Sequence, residues 1–312
     1  LTVSVFGSPV AQTVIRGITG YTFANYLFDA TASGEDVKVT TISLYDTMAA
    51  SPDVSQLTNL VLYDGTSDLN TGTNVVSRTG TASAAFTFTL DNALIIPKGT
   101  QKTVALKGNI SGTATAASSH AWGLTSPTIT AVGMSTTLTI TATTNDATGS
   151  IMTIASAGQY TAVLDSSTPT GKLIAANTTG NIMTQLKFYA TSEQINVTKI
   201  RLSLNNASST GNDLSQVYIY DGSNLLAQGT LGVGNATGKT ANASTTFTLS
   251  PALQLMPGVN KVVTIKADIA AISTTNTVAT AAHQIAIDYY GSTSTSENLG
   301  TGASSGTSIS NF

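Results

Sequence analysis

The sequence has no cysteine and very little charge. Without cysteine there is no disulfide, no thiolate metal site and no cysteine nucleophile. Charged residues make up 9% of the chain, whereas about 25% is usual in a globular protein, and Ser, Thr, Ala, Asn and Gly take their place. A surface of hydroxyl and amide groups suits a protein outside the cell, so we expect an extracellular or cell-surface location.

Basic stripes and long apolar runs are also absent. The 13 basic residues are scattered singly and the net charge is −3, which argues against nucleic acid as a partner because nothing would neutralise a phosphate backbone. No apolar run approaches the roughly 18 residues that cross a bilayer, so we expect no membrane span. The chain starts at Leu1 without a leader, and we interpret it as a processed product or as a piece of a longer protein.

The sequence does contain an internal repeat. AFTFTLDNALIIPKGTQKTVALKGNI, residues 85–110, matches TTFTLSPALQLMPGVNKVVTIKADI, which ends at Ile269, without a gap. The stretch LVLYDGTSDL, residues 60–69, returns as VYIYDGSNLL, residues 217–226. Such self-similarity indicates two copies of one structural unit. We therefore predict a first domain over residues 1–156, with a connecting strand at its end, and a second over residues 157–312.

One irregularity is shared by both copies. In the first copy, apolar residues alternate up to Val39, and the next apolar position is Ile42, three residues later. In the second copy, Val197 is followed in the same way by Ile200. Because strand side chains alternate between two faces, a slip of one residue turns the apolar set towards solvent unless the strand bulges or changes sheet. We predict a bulge or a sheet switch after Val39 and after Val197.

Each copy has the pattern of a series of short strands. Runs of four to eight residues rich in Val, Ile, Thr, Tyr and Phe are separated by Gly, Pro, Asn and Asp, and no sustained helical period is present. Asp64-Gly65 and Asp221-Gly222 supply the positive φ of a tight turn. The predicted fold class is all-β, with two tandem Ig-like antiparallel β-sandwich domains of seven or eight strands each.

These residues resemble a known group of proteins. IPKGTQKTVALKGNI and MPGVNKVVTIKADI, together with LYDG and IYDG, resemble the Ig-like β-sandwich repeats of secreted bacterial and archaeal surface proteins, which include S-layer, adhesin and extracellular filament subunits. The resemblance covers most of the chain. It implies the fold and a surface location, but little about biochemical role, because this sandwich carries many functions.

No catalytic, cofactor or metal set is predicted, and we do not expect an enzyme. His120 and His283 are the only histidines, and they fall at comparable places of separate copies, so they cannot readily share one site. Acids that could hold calcium are Asp64 and Asp68 around the first hairpin, and Glu35 with Asp36 before a strand. Calcium needs six to eight oxygens, and the acids are too sparse, so we interpret them as turn formers.

The predicted function is structural. We expect a subunit that polymerises with copies of itself, head to tail, into an extracellular filament, pilus-like fibre or surface layer. The alternative is an adhesin or carbohydrate-binding segment of a larger cell-surface protein, with surface glycans as partners. Sugar rings stack on exposed aromatic side chains, and the candidates are Tyr21, Tyr26, Trp122, Tyr289 and Tyr290.

The chain ends are the candidate assembly residues. The first residues resemble the segment that opens the second copy, and the last resemble the segment that closes the first. We therefore predict head-to-tail contact, with the strand Leu1 to Val5 completing a sheet of a neighbouring subunit by donor-strand complementation. The assembly residues are Leu1, Val3, Val5, Ile309 and Phe312. The alternative is that both ends are ordinary edge strands of their own domains.

Six N-x-S/T sequons are candidate glycosylation sites, although a chain so rich in Asn, Ser and Thr also produces sequons by chance. They begin at Asn109, Asn177, Asn196, Asn206, Asn235 and Asn242.

Overall fold

In the computed structural model, the chain divides into two compact units, Leu1–Ser156 (unit 1) and Ala157–Phe312 (unit 2). The structure describes residues 1–49, 56–145, 147–205, 208–233, 243–272 and 281–310. Within these ranges the regular structure is β-strand, apart from two short 3-10 turns at Gly72–Asn74 and Gly211–Asp213.

Unit 1 contains two sheets with one apolar core between them. The first sheet has the strand order β10-β1-β3-β7-β5, and the second has the order β2-β11-β8-β4-β6, with β9 also paired to β4. The strands are β1 (Thr2–Phe6), β2 (Gln12–Ile15), β3 (Tyr21–Asp29), β4 (Val37–Ala49), β5 (Leu57–Tyr63), β6 (Ala84–Ile96), β7 (Gln101–Ile110), β8 (Ser119–Gly123), β9 (Ile129–Gly133), β10 (Thr143–Thr144) and β11 (Met152–Ala155).

Unit 2 is built in the same way. Its first sheet has the order β12-β13-β18-β15-β16, and its second has the order β17-β14-β20-β21, with β19 also paired to β14. The strands are β12 (Gln159–Leu164), β13 (Asn181–Thr191), β14 (Ile195–Leu204), β15 (Leu214–Asp221), β16 (Asn224–Gly229), β17 (Ser244–Leu255), β18 (Asn260–Ile269), β19 (Ile287–Tyr289), β20 (Leu299–Gly302) and β21 (Ser308–Ile309).

The two units share their central strand order. In unit 1 the order is β1-β3-β7-β5, and in unit 2 it is β12-β13-β18-β15. In both, the third strand carries the repeated lysines and the fourth precedes the Asp-Gly turn. The predicted fold class, all-β with Ig-like antiparallel β-sandwiches, is confirmed. The described strands outnumber the predicted seven or eight per copy because short segments such as β10 and β21 also join the sheets.

The alternation of apolar residues explains the core. On the corresponding lysine-containing strands, β7 of unit 1 and β18 of unit 2, every second residue from Val104 and from Val263 is buried. Trp122, the only tryptophan, is fully buried in unit 1 and lies near Phe86 and Phe88. In unit 2 the comparable aromatic centre is Phe188, which stacks on Tyr160 and meets Tyr289 edge to face.

The predicted slips are bulges in both units. The ladder between β4 and β9 skips one residue of β4 between Val39 and Thr41, while the partner strand skips none. The ladder between β14 and β20 does the same between Val197 and Lys199. The extra residue restores the apolar face after the slip, which confirms the prediction made from the spacing.

Candidate assembly surface

The residues that make the repeat recognisable contact one another inside each unit. The tyrosine of each Tyr-Asp-Gly motif lies under a lysine ammonium, and the aspartate accepts a hydrogen bond from a second lysine of the same strand. The contacts are Lys107 over Tyr63 (3.5 Å), Lys102 to Asp64 (2.8 Å), Lys266 over Tyr220 (4.7 Å) and Lys261 to Asp221 (2.8 Å). The repeated motif therefore joins neighbouring strands.

Asp64, Asp36 and Glu35, three of the four acids considered for calcium, are engaged in the same kind of internal bonding. Lys102 binds Asp64 Oδ2, while Oδ1 accepts the Thr66 hydroxyl and the N–H groups of Thr66 and Ser67, and these bonds lower the pKa of Asp64. Asp36 Oδ1 accepts the Lys98 N–H at 2.9 Å. Among the described residues no group of three or more His, Asp or Glu side chains is placed to hold a metal.

A glutamate anchors the same turn in both units. Glu35 accepts the N–H groups of Ser135 and Thr136 and the Thr136 hydroxyl, which lowers the pKa of Glu35. In unit 2 the corresponding bonds run to Glu193, which is buried and also accepts the Gly158 N–H at 2.7 Å. Its other donors are the Ser304 N–H, the Ser305 N–H and the Ser305 hydroxyl.

Unit 1 contains a buried polar cluster that the sequence did not predict. Asp46 Oδ2 accepts a hydrogen bond from Arg78 Nε (2.5 Å) and lies 2.8 Å from His120 Nδ1. His120 Nε2 lies 2.9 Å from Gln56 Oε1, which also accepts the Ser118 hydroxyl at 2.9 Å. All five side chains belong to fully or almost fully buried residues, so the cluster supports the core and offers no open face to a substrate.

The two histidines are not at equivalent positions, which corrects the sequence interpretation. Trp122 pairs with Asp46 on β4, and Ile287 pairs with Leu204 at the same place on β14. Counting back along the strands, His120 corresponds to Ile285. His283 corresponds instead to Ser118, and it lies 2.9 and 3.0 Å from the two carboxylate oxygens of Asp213. Both histidines nevertheless face an aspartate.

The aromatic residues proposed for sugar stacking are mostly inside the protein. Tyr26, Trp122 and Tyr289 are buried. Tyr21 packs edge to face on Phe23, and Tyr290 is half-buried against the Arg201 guanidinium, 4.4 Å from its ring centre. A sugar needs an open aromatic face, so the three buried residues cannot stack on a sugar.

The proposed assembly residues belong to the units themselves. Val3 is fully buried in the unit 1 core, and Leu1 and Val5 pack against that core. β1 pairs with β3 along its whole length and with β10 at two positions. Ile309 is buried in the unit 2 core, and Phe312 lies outside the described residues. These strands therefore have intramolecular places, as in the alternative that the sequence left open.

Three of the six sequons can be placed. Asn177 is exposed with a positive φ of 57°. Asn109 and Asn196 are half-buried, and their side-chain oxygens accept hydrogen bonds from the Gly20 N–H and the Gln194 amide. Asn206, Asn235 and Asn242 lie outside the described residues. Asn177 is thus the described sequon with the most open side chain.

Unit 2 has an open groove of about 850 Å³. One wall is the segment 169–176, the other is the segment 281–286, and Ile182, Met183, Ile269 and Ile272 add apolar surface; we call this the unit 2 groove. Asp213 and His283 supply its paired polar groups. Leu173 is fully exposed beside it, and Ile174 and Ile285 are half-buried in it. No pattern in the sequence indicated this groove.

Known proteins give little further guidance. No family model and no curated protein matches the chain. Among solved structures, CBD12 from CALX1.2 is 8% identical with a TM-score of 0.27, covering 86% of this chain and 75% of its own. A membrane-anchored protein from Corynebacterium diphtheriae is 12% identical with a TM-score of 0.19, covering 87% and 84%. Scores this low establish no relationship, so the fold assignment rests on the strand pairing.

No helix in the part of the chain that the structure describes has the length and apolar character of a membrane span.

Proposed function

We propose that this protein is a non-enzymatic structural subunit that assembles with copies of itself into an extracellular fibre or surface layer. The observation that carries the proposal is the unit 2 groove, which leaves apolar side chains such as Leu173 and Ile272 open to solvent. Apolar surface left open on a folded domain favours contact with another chain. A head-to-tail contact through such a surface extends into a filament unless its rotation closes a ring.

The use of polar side chains supports the same proposal. The charged residues described above bond to turns and neighbouring strands within each unit, and the buried Asp46 cluster has no open face. Little ionic repulsion opposes close packing of subunits, because charged residues are only 9% of the chain.

Negative-stain microscopy of concentrated native protein tests the proposal. We expect regular fibres or sheets, and sedimentation should show a particle size that rises with concentration. Particles that stay monomeric at every concentration and bind glycans on an array would instead favour the alternative function, an adhesin or carbohydrate-binding segment.

A further inference from the structure

The unit 2 groove occupies the place that a strand fills in unit 1. There, β11 lies between β2, with which it pairs in parallel, and β8, with which it pairs antiparallel. Its side chains Met152 and Ile154 are buried. Ile151, which precedes β11, accepts the Gln12 N–H, and β11 itself accepts the Arg16 N–H on one side and the Ala117 N–H on the other.

The first wall of the groove corresponds to β2. The Ile110 N–H donates to the Ile18 carbonyl in unit 1, and the Ile269 N–H donates to the Thr178 carbonyl in unit 2. Counting back four residues from Ile18 and from Thr178 places Val14 opposite Ile174. Val14, the ladder partner of Ile154 on β11, is buried, whereas Ile174 is only half-buried.

The second wall corresponds to β8 and the residue before it. Ala117 and Ala282 share a φ of 67°, and from there Ser118 corresponds to His283 and His120 to Ile285. In unit 1 the Ser118 carbonyl accepts the Ile154 N–H at 2.8 Å. In unit 2 no described strand lies along this edge, and residues 172–175, the counterpart of β2, are not in a strand.

We propose that the unit 2 groove accepts one extended strand from a neighbouring subunit, parallel to residues 172–175 and antiparallel to residues 283–285. The strand carries two apolar side chains two positions apart, with small polar or apolar residues between them, as β11 does with Met-Thr-Ile-Ala. Binding converts residues 172–175 into a β2-like strand, because β2 has β11 as its ladder partner. The partner's identity as a subunit rests on the proposed function.

A peptide with the sequence of residues 148–158 tests the groove directly. We expect saturable binding to the full chain, measured by fluorescence anisotropy, with new hydrogen-exchange protection at the Lys172 and Ala176 amides, the counterparts of Gln12 and Arg16. A peptide carrying Met152→Asp and Ile154→Asp should bind more than about tenfold more weakly, because burying a carboxylate against apolar side chains such as Ile174 and Ile285 is costly. Equal binding of both peptides, or none, would overturn the proposal.

A protein variant tests the wall of the groove. Ile174→Asp should weaken peptide binding by more than about tenfold, whereas Leu225→Asp, at an exposed apolar residue on the far edge strand β16, should leave it unchanged. Circular dichroism establishes that both variants are folded. If Ile174→Asp does not fold, the aspartate peptide on the unaltered chain still decides the question.

Assembly assays separate this proposal from the function on which it rests. If fibres grow and the peptide caps their growth, both stand. If the peptide binds selectively but no fibres form, the groove still binds an extended strand, and the fibre proposal fails. If fibres grow equally with peptide or with Ile174→Asp, the groove proposal fails alone. Cross-linking from position 285 in mixed isotope-labelled and unlabelled subunits should join different chains; a cross-link within one chain contradicts donation by a neighbour.

Discussion

At the scale of single residues, polar side chains in this protein hold strands and turns together. Glu193 and Glu35 bond to the same turn in the two units, and Asp46 joins Arg78 to His120 in the unit 1 core. Buried polar groups are expensive unless they are hydrogen-bonded. Their individual contributions to stability are therefore expected to follow their burial.

The first expected outcome concerns Asp46. Asp46→Asn removes the charge that balances the buried Arg78 guanidinium, and breaking a buried pair in this way costs about 3 to 5 kcal/mol. Urea unfolding followed by the fluorescence of Trp122, which reports on unit 1, measures the loss. Asp213→Asn is the comparison variant in unit 2, where the partner His283 is partly exposed. It should lower the free energy of unfolding by less, as measured by circular dichroism. Equal costs would contradict this account of Asp46.

The second expected outcome concerns Glu193 and Glu35, the glutamates that bond to the same turn in the two units. Glu193→Ala leaves the N–H groups of Gly158, Ser304 and Ser305 without their acceptor, and we expect a loss of about 1 to 3 kcal/mol. Glu35→Ala in unit 1 should cost less, because its turn is exposed and water replaces the carboxylate. Denaturant unfolding of both variants by circular dichroism makes the comparison, and a larger loss for Glu35→Ala would disagree with it.

At the scale of elements, the bulge sets which face of β4 is apolar. Val37 and Val39 are buried before it, and Ile42 and Leu44 are buried after it, so the single extra residue keeps both halves of the strand facing the core. The same device in β14 shows that the repeat preserved the irregularity along with the regular pattern.

Deleting Thr40 tests this role of the bulge. The deletion would turn either the residues before it or those after it towards solvent. We expect unit 1 to lose its cooperative unfolding transition, with Trp122 fluorescence shifted to that of a solvated indole. Thr40→Ala keeps the chain length and should leave the transition nearly unchanged. A native spectrum for the deletion would show that the register is set elsewhere.

At the scale of the whole molecule, buried tyrosines limit stability at high pH. Burial raises the pKa of Tyr160 to about 12, and burial also raises the pKa of Tyr26 and Tyr289. The folded state thus holds a phenol proton that the unfolded chain releases near pH 10. The contribution of these protonated tyrosines to folding stability is complete below pH 10 and is lost as the pH rises towards 12 and beyond.

Thermal melts across this range measure the effect. The melting temperature of unit 2 should fall steeply above pH 10, and Tyr160→Phe should make the fall shallower because one titrating group is gone. An unchanged slope in Tyr160→Phe would assign the alkaline transition to other groups.

The whole molecule should also be insensitive to salt and to metal chelation. Partly exposed ion pairs such as Lys261 with Asp221 contribute about 0 to 1 kcal/mol each and are screened by salt. We expect the melting temperature to change little between low and high ionic strength and not at all with EDTA. A large drop with EDTA would indicate a bound cation.

Much of the fold followed from local pattern. The alternation on β7 and β18, the Asp-Gly turns, in which Gly65 and Gly222 have positive φ, and the slip after Val39 are all short-range features. A period of two residues fixes which side chains share a face, and two copies of one pattern specify one architecture twice. The sequence alone therefore determined the all-β class and the bulges.

Only the tertiary structure decided what each residue contacts. The burial of Trp122 and Tyr26, the partners of Asp46 and the non-equivalence of His120 and His283 depend on strand pairings between residues far apart in the chain, which local periodicity does not specify. The unit 2 groove is the clearest case. Residues 172–175 can be aligned with β2 by counting back from Gly180 and Gly20. Only the folded structure of unit 1 shows that a strand, β11, belongs beside β2, because β11 pairs with two strands that are distant in sequence.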